Sequence, residues 1–206
     1  ALSLTSCSLV MSAEPNRWYT LEEYFELERR SDVRFEFVNG QIFAMSGAQP
    51  NHNRVTRNII RRVSNQFEGK TCEVFGSDQR VKVFVASPYL YPDVSIACPK
   101  PEFESINGLL ALTNPTVLVE VLSPTARNDD VKAKFIMSQT IPSLLEYVVV
   151  EPDKVKVVHF QKQTDGNWEP ELLEFLTDTL TLPSIDCEVS LTDVYQSVEF
   201  SANPIV

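Results

Sequence analysis

Several residue types that mark common classes of protein are scarce in this sequence. Its 6 glycines form no Gly-rich phosphate-binding loop and no G-x-S-x-G turn. A Ser-His-acid triad would have to take its histidine from His52 or His159, the two histidines of the sequence. The 4 cysteines lie at scattered positions without a C-x-x-C pair, so we expect neither a zinc site nor a disulfide framework. A reducing cytoplasm is the matching location.

Long apolar runs are also missing. No stretch approaches the ~20 apolar residues of a membrane span. Residues 1–10 are small and apolar, but they lack the basic segment and the length of a signal peptide. We therefore expect a cytoplasmic protein without a membrane partner. Residues 1–17 are interpreted as an N-terminal tail, residues 18–200 as a single domain, and residues 201–206 as a C-terminal tail.

Basic residues are outnumbered, but unevenly along the chain. The formal net charge is −10. Residues 1–145 carry 15 Lys and Arg against 16 Asp and Glu, whereas residues 146–206 carry 3 against 12. The acidity therefore belongs to the C-terminal third, and a polyanion would have to approach the other part of the protein.

An acidic residue interrupts the most apolar strand that the sequence predicts. Thr116–Leu122 is a β-branched and aliphatic run, too short for a typical helix, and it predicts a strand buried on both faces. Glu120 lies inside this run. Burying an ionised carboxylate costs several kcal/mol unless a cation or hydrogen-bond donors meet it, so Glu120 indicates a binding site.

A second carboxylate has a similar setting. Asp93 follows a proline and precedes Val94–Ala97, which predicts another strand. If the two strands are neighbours, Asp93 and Glu120 converge, and their like charges favour a hard divalent cation with oxygen ligands. Lys134, on a helix predicted from about Val131 to Thr140, can reach the same place. Two carboxylates and a lysine are the groups that metal-assisted phosphodiester hydrolysis needs.

The N-terminal third contains a helix and a hairpin. The segment Thr20-Leu-Glu-Glu23 is a capping box, which predicts a helix to about Arg30. Asn39-Gly40 lies between two alternating runs and predicts a β-hairpin over residues 34–45. Glu36 lies on the first strand of this hairpin. It is either a solvated strand residue or a third acid that faces a site.

A second helix is predicted from Asn51, as the N-cap, to Phe67. Its apolar positions recur every three to four residues, and its basic residues lie away from them. These basic residues are Arg54, Arg57, Arg61 and Arg62. Four arginines on one helix are more often a solvated face than a ligand site, but in a nuclease they are the best candidates for phosphate contacts. His52, at the helix start, is interpreted as a capping or turn residue.

The remaining chain combines strands and helices. Residues 99–115 have no clear period and predict a loop that serves as a flap or a partner surface. The helix over Val131–Thr140 is expected to be capped by Asp129 or Asp130. Further elements are strands at 72–75, 80–85, 146–150, 155–161 and 171–175, and a short closing helix at 191–198. This order predicts an α/β fold, in which an α+β mixed sheet is flanked by helices.

A set of short motifs occurs in a fixed order along the chain. They are Phe35-Glu36-Phe-Val-Asn-Gly40, His52, Tyr91-Pro92-Asp93-Val94, Val119-Glu120-Val-Leu-Ser-Pro124, Asp130 to Lys134 and Glu146-Tyr147. Taken together they resemble the Uma-type family of restriction-endonuclease-like proteins, which belongs to the PD-(D/E)xK nuclease superfamily. The likeness covers roughly residues 18–198 by the order and spacing of its motifs.

The resemblance implies a restriction-endonuclease-like core and a magnesium-dependent endonuclease that acts on DNA, with manganese as a substitute. In that superfamily the two motif acids and an intervening carbonyl hold the metal, which here implies Asp93, Glu120 and the carbonyl of Val121. Glu36 matches an extra acid near the metal, and with Lys134 it completes the implied catalytic set. A homodimer is the superfamily's common way to cut both strands.

One position departs from the superfamily pattern, because Leu122 stands where (D/E)xK has its lysine. Relatives that carry this lysine on the following helix imply Lys134, with Lys132 as the alternative. The buried side of that helix is indicated by Ala133, Phe135 and Ile136. The two lysines lie about 200° apart around a helix, so only one of them can point inward.

Two other functions are compatible with these residues. Leu122 and the acidic C-terminal third suit a non-catalytic nucleic-acid-binding or protein-binding module that retains the nuclease fold. Two carboxylates are also the catalytic groups of a glycosidase. The intact set of Glu36, Asp93, Glu120 and Lys134 favours the nuclease, because a purely structural fold would gain stability from apolar residues at these positions.

Overall fold

The computed structural model describes residues 17–38, 40–45, 48–84, 89–123 and 128–200. Within these ranges the elements are α1 Leu21–Arg30, β1 Phe35–Val38, β2 Gln41–Ala44, α2 Pro50–Gln66, β3 Glu73–Gly76, β4 Val81–Lys82, β5 Tyr89–Leu90, β6 Val94–Ala97, β7 Phe103–Ile106, β8 Leu109–Leu112, β9 Val117–Val121, α3 Asn128–Ser138, β10 Glu146–Glu151, β11 Lys156–Lys162, β12 Trp168–Leu173, β13 Thr179–Leu182, a 3₁₀ helix Pro183–Ile185, β14 Cys187–Ser190 and α4 Leu191–Val194.

Within the described ranges the strands form two six-stranded sheets and a small hairpin. The first sheet has the order β2-β1-β5-β4-β8-β7, the second has the order β12-β11-β10-β9-β6-β3, and β13 pairs with β14. Most neighbours are antiparallel, but β4 with β8 and β9 with β10 are parallel. Mixed sheets flanked by helices confirm the predicted α/β class.

The predicted helix start and hairpin of the N-terminal third are confirmed. The Thr20 hydroxyl accepts a hydrogen bond from the Glu23 backbone N–H, and the Glu23 carboxylate accepts one from the Thr20 N–H. The strands β1 and β2 then pair antiparallel. Gly40 has a φ of +77°, which is a conformation that glycine adopts without strain.

The second sheet separates two apolar clusters, and β9 contributes to both. Val117, Val119 and Val121 pack in the cluster that contains the apolar stripe of α2, whereas Leu118 packs on the opposite side with α3. All five residues of β9 are buried. Because side chains alternate along a strand, Glu120 projects on the same side as Leu118, toward α3.

Both predicted helix caps outside the capping box are wrong. The helix α2 begins at Pro50, and Asn51 lies inside it, where the Asn51 side chain accepts a hydrogen bond from Arg54. Proline suits a first helical position because its missing N–H would have no partner there. The helix α3 begins at Asn128, so Asp129 and Asp130 lie in its first turn and do not cap it.

Residues 99–115, predicted as a loop, instead contain the hairpin of β7 and β8. Its turn is Asn107-Gly108, where both residues have positive φ, +51° and +82°. The two strands are four residues each, which is too short for alternation to be read reliably from the sequence. The Asn107-Gly108 pair is a hairpin signal that could have identified this turn.

Several strand bounds also differ from prediction. The strand expected at 80–85 is confined to β4, Val81–Lys82, and residues 85–88 lie outside the described ranges. The last long strand is β12, which begins at Trp168 and not near residue 171. The hairpin of β13 and β14 was not predicted, and the closing helix ends at Val194.

A disulfide joins Cys72 and Cys98, so the expectation of no disulfide framework is wrong. Glu73 pairs with Ala97 in the antiparallel register of β3 and β6. Cys72 directly precedes Glu73 and Cys98 directly follows Ala97, so the two cysteines lie opposite each other just beyond the paired strands. Their Cα atoms lie 4.4 Å apart. The spacing of 26 residues gave no signal, because it becomes meaningful only when this strand pairing is known.

No helix within the described ranges is long and apolar enough to cross a bilayer. Most of the residues assigned to the two tails, 1–16 and 201–206, lie outside those ranges. The division into tails and one domain stays a prediction, as does the cytoplasmic location.

Removing the disulfide should lower the free energy of unfolding by about 3 kcal/mol, because the cross-link restricts the unfolded chain. Urea unfolding of the Cys72→Ser/Cys98→Ser double variant, compared with the wild type, measures this change. A dithiol reductant should lower the wild type to the level of the variant and leave the variant unchanged. Unaltered wild-type stability in reductant would contradict the prediction.

Candidate active site

Four predicted site residues come together where the two large sheets meet. Glu36 lies on β1 of the first sheet, Glu120 on β9 of the second, and Asp93 directly before β6. Lys134 lies on α3. All three carboxylate side chains are nearly buried, with 10 to 13% of their surface exposed. Residues far apart in the sequence therefore share one small polar site.

The pairing of β6 with β9 brings two of the acids together. Val94 lies opposite Val119 in an antiparallel register, which sets the preceding Asp93 opposite Glu120. The Val121 backbone N–H donates a hydrogen bond to Asp93 Oδ2 at 2.8 Å. Asp93 is thus anchored to the same strand that carries Glu120.

Lys134 supplies the positive charge of the site. Its Nζ lies 2.8 Å from Glu36 Oε1 and 3.7 Å from Glu120 Oε2. Lys132 is exposed on α3. Only Lys134 of these two therefore contacts the acids, and in doing so it links the two large sheets through α3.

The inward orientation of Lys134 was predicted from three apolar residues of α3. One of them packs inward, and the other two are exposed. Phe135 packs on Phe160 and Tyr147, as expected for the buried side of α3. Ala133 is exposed, and 63% of the Ile136 surface is exposed. The apolar pattern of α3 is weak because its inner side is mixed, with Phe135 in an apolar cluster and Lys134 against the acids.

Burial and charge shift the pKa values of this cluster in defined directions. Burial raises the pKa of Glu120 to about 8, although the Lys134 ammonium opposes this rise. Burial lowers the pKa of Lys134, but Glu120 and Glu36 outweigh it and hold that pKa above its ordinary value. Lys134 is therefore a cation at neutral pH and cannot act as a general base.

Leu122, at the position of the superfamily lysine, packs in the apolar cluster beneath α3 together with Phe135. It lies two residues after Glu120 and so on the same side of the chain. An ammonium at this position would be surrounded by apolar side chains. The positive charge comes instead from Lys134 on the next helix.

A buried network supports Glu36, and no sequence signal pointed to it. The Tyr91 backbone N–H donates to Glu36 Oε1 at 3.3 Å, and the Tyr91 hydroxyl donates to Glu28 Oε2 at 2.6 Å. Arg80 forms a buried ion pair with the same Glu28 carboxylate. Tyr91 thus connects α1 to the segment that ends in Asp93.

His52 contacts the candidate site, contrary to its interpretation as a capping or turn residue. It lies inside α2, and its Nε2 is 3.2 Å from Asp93 Oδ1. Burial lowers the pKa of His52, but the Asp93 carboxylate and the Val121 backbone outweigh it and raise that pKa. A signal was present, because His52 shares the apolar stripe with Val55 and Ile59, where a polar side chain needs a partner.

The carboxylates and a nearby carbonyl suit a hard divalent cation. Among the described residues, no group of three or more His, Cys, Asp and Glu side chains is arranged to hold a metal. Magnesium, however, is usually bound through one or two carboxylates and keeps several waters. Asp93, Glu120 and the carbonyl of Val121 therefore fit its requirements for ligands.

Two of the four arginines on α2 pair with carboxylates near the C-terminus. Arg54 lies 2.8 Å from Glu199, and Arg62 forms an ion pair with Asp193. Each pair spans more than 130 residues of sequence. The acidic segment predicted to repel a polyanion thus neutralises part of the predicted basic surface.

Arg57 and Arg61 remain exposed on α2. Arg61 donates to the Gln196 side chain at 2.5 Å, and Arg57 donates to Asn58 at 3.1 Å, so neither has a carboxylate partner among these contacts. At 100° per residue, Arg57 lies about 140° and Arg61 about 180° around the helix from His52. They therefore face away from the acid cluster.

A second buried acid and histidine are separate from this site. His159 Nε2 lies 2.5 Å from Glu146 Oε2, and the Ser184 backbone N–H donates to Glu146 Oε1 at 2.8 Å. These contacts join β10, β11 and the 3₁₀ helix. They indicate a structural role for His159.

The crystal structure of "a putative nuclease belonging to DUF820" from Anabaena variabilis superimposes with a TM-score of 0.69 at 18% identity, covering 85% of this chain and 97% of that chain. This likeness shows that the two proteins share a fold. The Uma2 family, described as "Putative restriction endonuclease", matches residues 21–193, and the chain belongs to this family.

Two relatives come from Synechocystis sp. "Uncharacterized protein sll1609" is 36% identical over 149 residues, which are 72% of this chain and 84% of the relative. "Uncharacterized protein slr1290" is 31% identical over 180 residues, which are 87% of this chain and 92% of the relative. The chain thus spans most of the length of both relatives.

The raised pKa of Glu120 predicts that its contribution to stability falls with rising pH. The folded protein keeps this proton until about pH 8, whereas an ordinary glutamate loses it near 4.5, so proton binding favours the folded state between these values. Glu120→Gln removes the effect. In chelator, the variant should therefore become more stable relative to the wild type as pH rises through this window.

Urea unfolding of both proteins at several pH values measures the trend. Glu169→Gln, at an exposed acid of β12, is the control and should show a constant difference from the wild type. A constant difference for Glu120→Gln as well would contradict the assigned shift.

Proposed function

We propose that this protein is a divalent-cation-dependent endonuclease that hydrolyses phosphodiester bonds of DNA. The observation that carries the proposal is the contact of the Lys134 ammonium with Glu36 and Glu120, beside Asp93, where two sheets and a helix meet. Family membership and the nuclease-like fold support the same class of reaction. Magnesium is the expected cation, and manganese is expected to substitute for it.

Each residue of the cluster has a chemical role in this proposal. Asp93, Glu120 and the carbonyl of Val121 would hold the cation. A bound divalent cation lowers the pKa of its water and stabilises charge on a phosphoryl oxygen. Glu36 keeps the Lys134 ammonium close to the site through their 2.8 Å contact.

Lys134 is the electrostatic component. Phosphodiester hydrolysis adds negative charge to the phosphate oxygens as water attacks, and a fixed ammonium nearby stabilises that charge without reorganisation. A lysine held in the protonated form is suited to this task. Its Oε partners on Glu36 and Glu120 restrain the side chain before substrate binds.

The central test is cleavage of a supercoiled plasmid and of single-stranded DNA with magnesium or manganese. Asp93→Asn, Glu120→Gln and Lys134→Ala should each lower the cleavage rate by about 100-fold or more, the usual effect of losing one preorganised electrostatic group. Manganese should raise the melting temperature of the wild type by linkage, but not that of Asp93→Asn or Glu120→Gln.

Lys132→Ala is the matched control, since Lys132 is a lysine of the same helix without contact to the acids. It should cleave within about twofold of the wild type, as an exposed substitution does. If wild-type protein with manganese neither binds nor cuts DNA at low salt, the nuclease proposal is wrong. The non-catalytic binding module then becomes the better explanation, with the hairpin of β7 and β8 as a candidate partner surface.

In this proposal the two exposed arginines of α2 contact phosphates remote from the cleaved bond, because they face away from the acid cluster. Log Kd should depend on log salt with a slope of magnitude about 2 to 4, because few phosphates are neutralised on a protein of this net charge. Arg57→Ala/Arg61→Ala should reduce the slope by about 2, one for each lost phosphate contact. Fluorescence anisotropy with labelled DNA in chelator measures binding without cleavage.

Arg54→Ala/Arg62→Ala provides the comparison, because both of these guanidinium groups already pair with carboxylates. This variant should leave the salt slope unchanged. Equal slopes for the wild type and the Arg57/Arg61 variant would place the DNA contacts elsewhere. A homodimer stays a prediction.

A further inference from the structure

His52 differs from the other residues on the buried side of α2. Val55, Ile59 and Val63 are fully or almost fully buried against the second sheet, and the buried Asn58 bonds to the backbone carbonyls of Val194 and Gln196. The His52 side chain is 12% exposed, and its Nε2 lies 3.2 Å from Asp93 Oδ1. A polar ring in such a place costs free energy unless it is paired, and here its partner is one specific carboxylate.

The contact defines the orientation of the imidazole ring. The Nδ1 atom is buried and has no partner that meets hydrogen-bond geometry in the described part of the chain. The Nε2 contact with Asp93 and the Val121 backbone are therefore the polar restraints on the ring. Because a carboxylate oxygen can only accept, a hydrogen bond to Asp93 requires the proton on Nε2.

Both oxygens of Asp93 are contacted by nitrogen atoms from two different elements. The Val121 backbone N–H donates to Oδ2 from β9, and the His52 Nε2 on α2 lies 3.2 Å from Oδ1. The terminal torsion of an aspartate is broad, so two opposed donors are needed to fix its carboxylate plane. Each oxygen keeps a further lone pair, which remains available to a cation.

From this geometry we infer that His52 is a positioning residue for Asp93. It donates its Nε2–H to Oδ1 and fixes the carboxylate in the orientation that binds the divalent cation. The inference rests on the proposed function, since it concerns the same cation. It assigns a role to α2 that is independent of Arg57 and Arg61, which lie on the other side of that helix.

Two substitutions separate the donated hydrogen bond from simple packing. His52→Leu keeps an apolar volume on an apolar side of the helix and removes the donor. His52→Gln keeps an N–H near the position of Nε2. Asn53→Ala, at the exposed neighbouring position of α2, controls for changes in the helix itself.

The measurement is the manganese concentration at the midpoint of the rise in melting temperature, with cleavage as a second readout. His52→Leu should raise the midpoint by about 10- to 100-fold, the usual effect of losing a residue that orients a metal ligand. His52→Gln should restore it to within about threefold, and Asn53→Ala should match the wild type. At saturating manganese the cleavage rate of His52→Leu should recover most of its loss, which a folding defect would not allow.

The outcomes distinguish this inference from the proposed function. If the wild type binds manganese and His52→Leu binds it equally well, the positioning role is wrong and the proposed function stands. If His52→Gln is as weak as His52→Leu, the donated hydrogen bond is not the cause and the inference is likewise wrong. If the wild type shows no response to manganese, both the proposed function and the inference about His52 are wrong.

Discussion

The structure depends on one electrostatic constraint, the burial of Glu120 in the middle of an apolar strand. Burial favours the protonated form and raises the pKa of this carboxyl to about 8, so a nearby cation is needed to keep it charged. The Lys134 ammonium meets this need in part, and it also contacts Glu36 on the other sheet. The packing of α3 across the two sheets and the chemistry of the site thus have the same cause.

Supporting contacts position the acids from several directions. The register of β6 with β9 sets Asp93 opposite Glu120, while Tyr91, just before this strand, is held by Glu28. His52 reaches Asp93 from α2. Because each acid is restrained by a different element, the site forms only when α1, α2, α3 and both sheets have packed. Such dependence on the whole fold favours a preorganised electrostatic site over a flexible one.

The distribution of charge acquires a different meaning in three dimensions. In the sequence, a basic helix and an acidic C-terminal third are separate features with opposite implications for a polyanion. In the structure Arg54 and Arg62 pair with Glu199 and Asp193 of that acidic part. Of the four arginines on α2, Arg57 and Arg61 stay exposed without a carboxylate partner in the described part of the chain, and they face away from the acid cluster. A basic residue count along a helix therefore overstates its capacity for phosphate, because partners from distant segments neutralise some of the charge.

Local sequence patterns by themselves determined much of this protein. The capping box fixed the start of α1, Asn39-Gly40 fixed the first hairpin, and an acid within an apolar run marked Glu120 as exceptional, because each signal acts within a few residues. Short strands escaped detection, as in the hairpin at residues 103–112, because four residues carry too little periodicity. Tertiary structure alone decided the pairing of Cys72 with Cys98, the contact of His52 with Asp93 and the approach of Lys134 to Glu36. These contacts join positions 26 to 98 residues apart, and such distances are set by strand register and helix packing, which no local pattern contains.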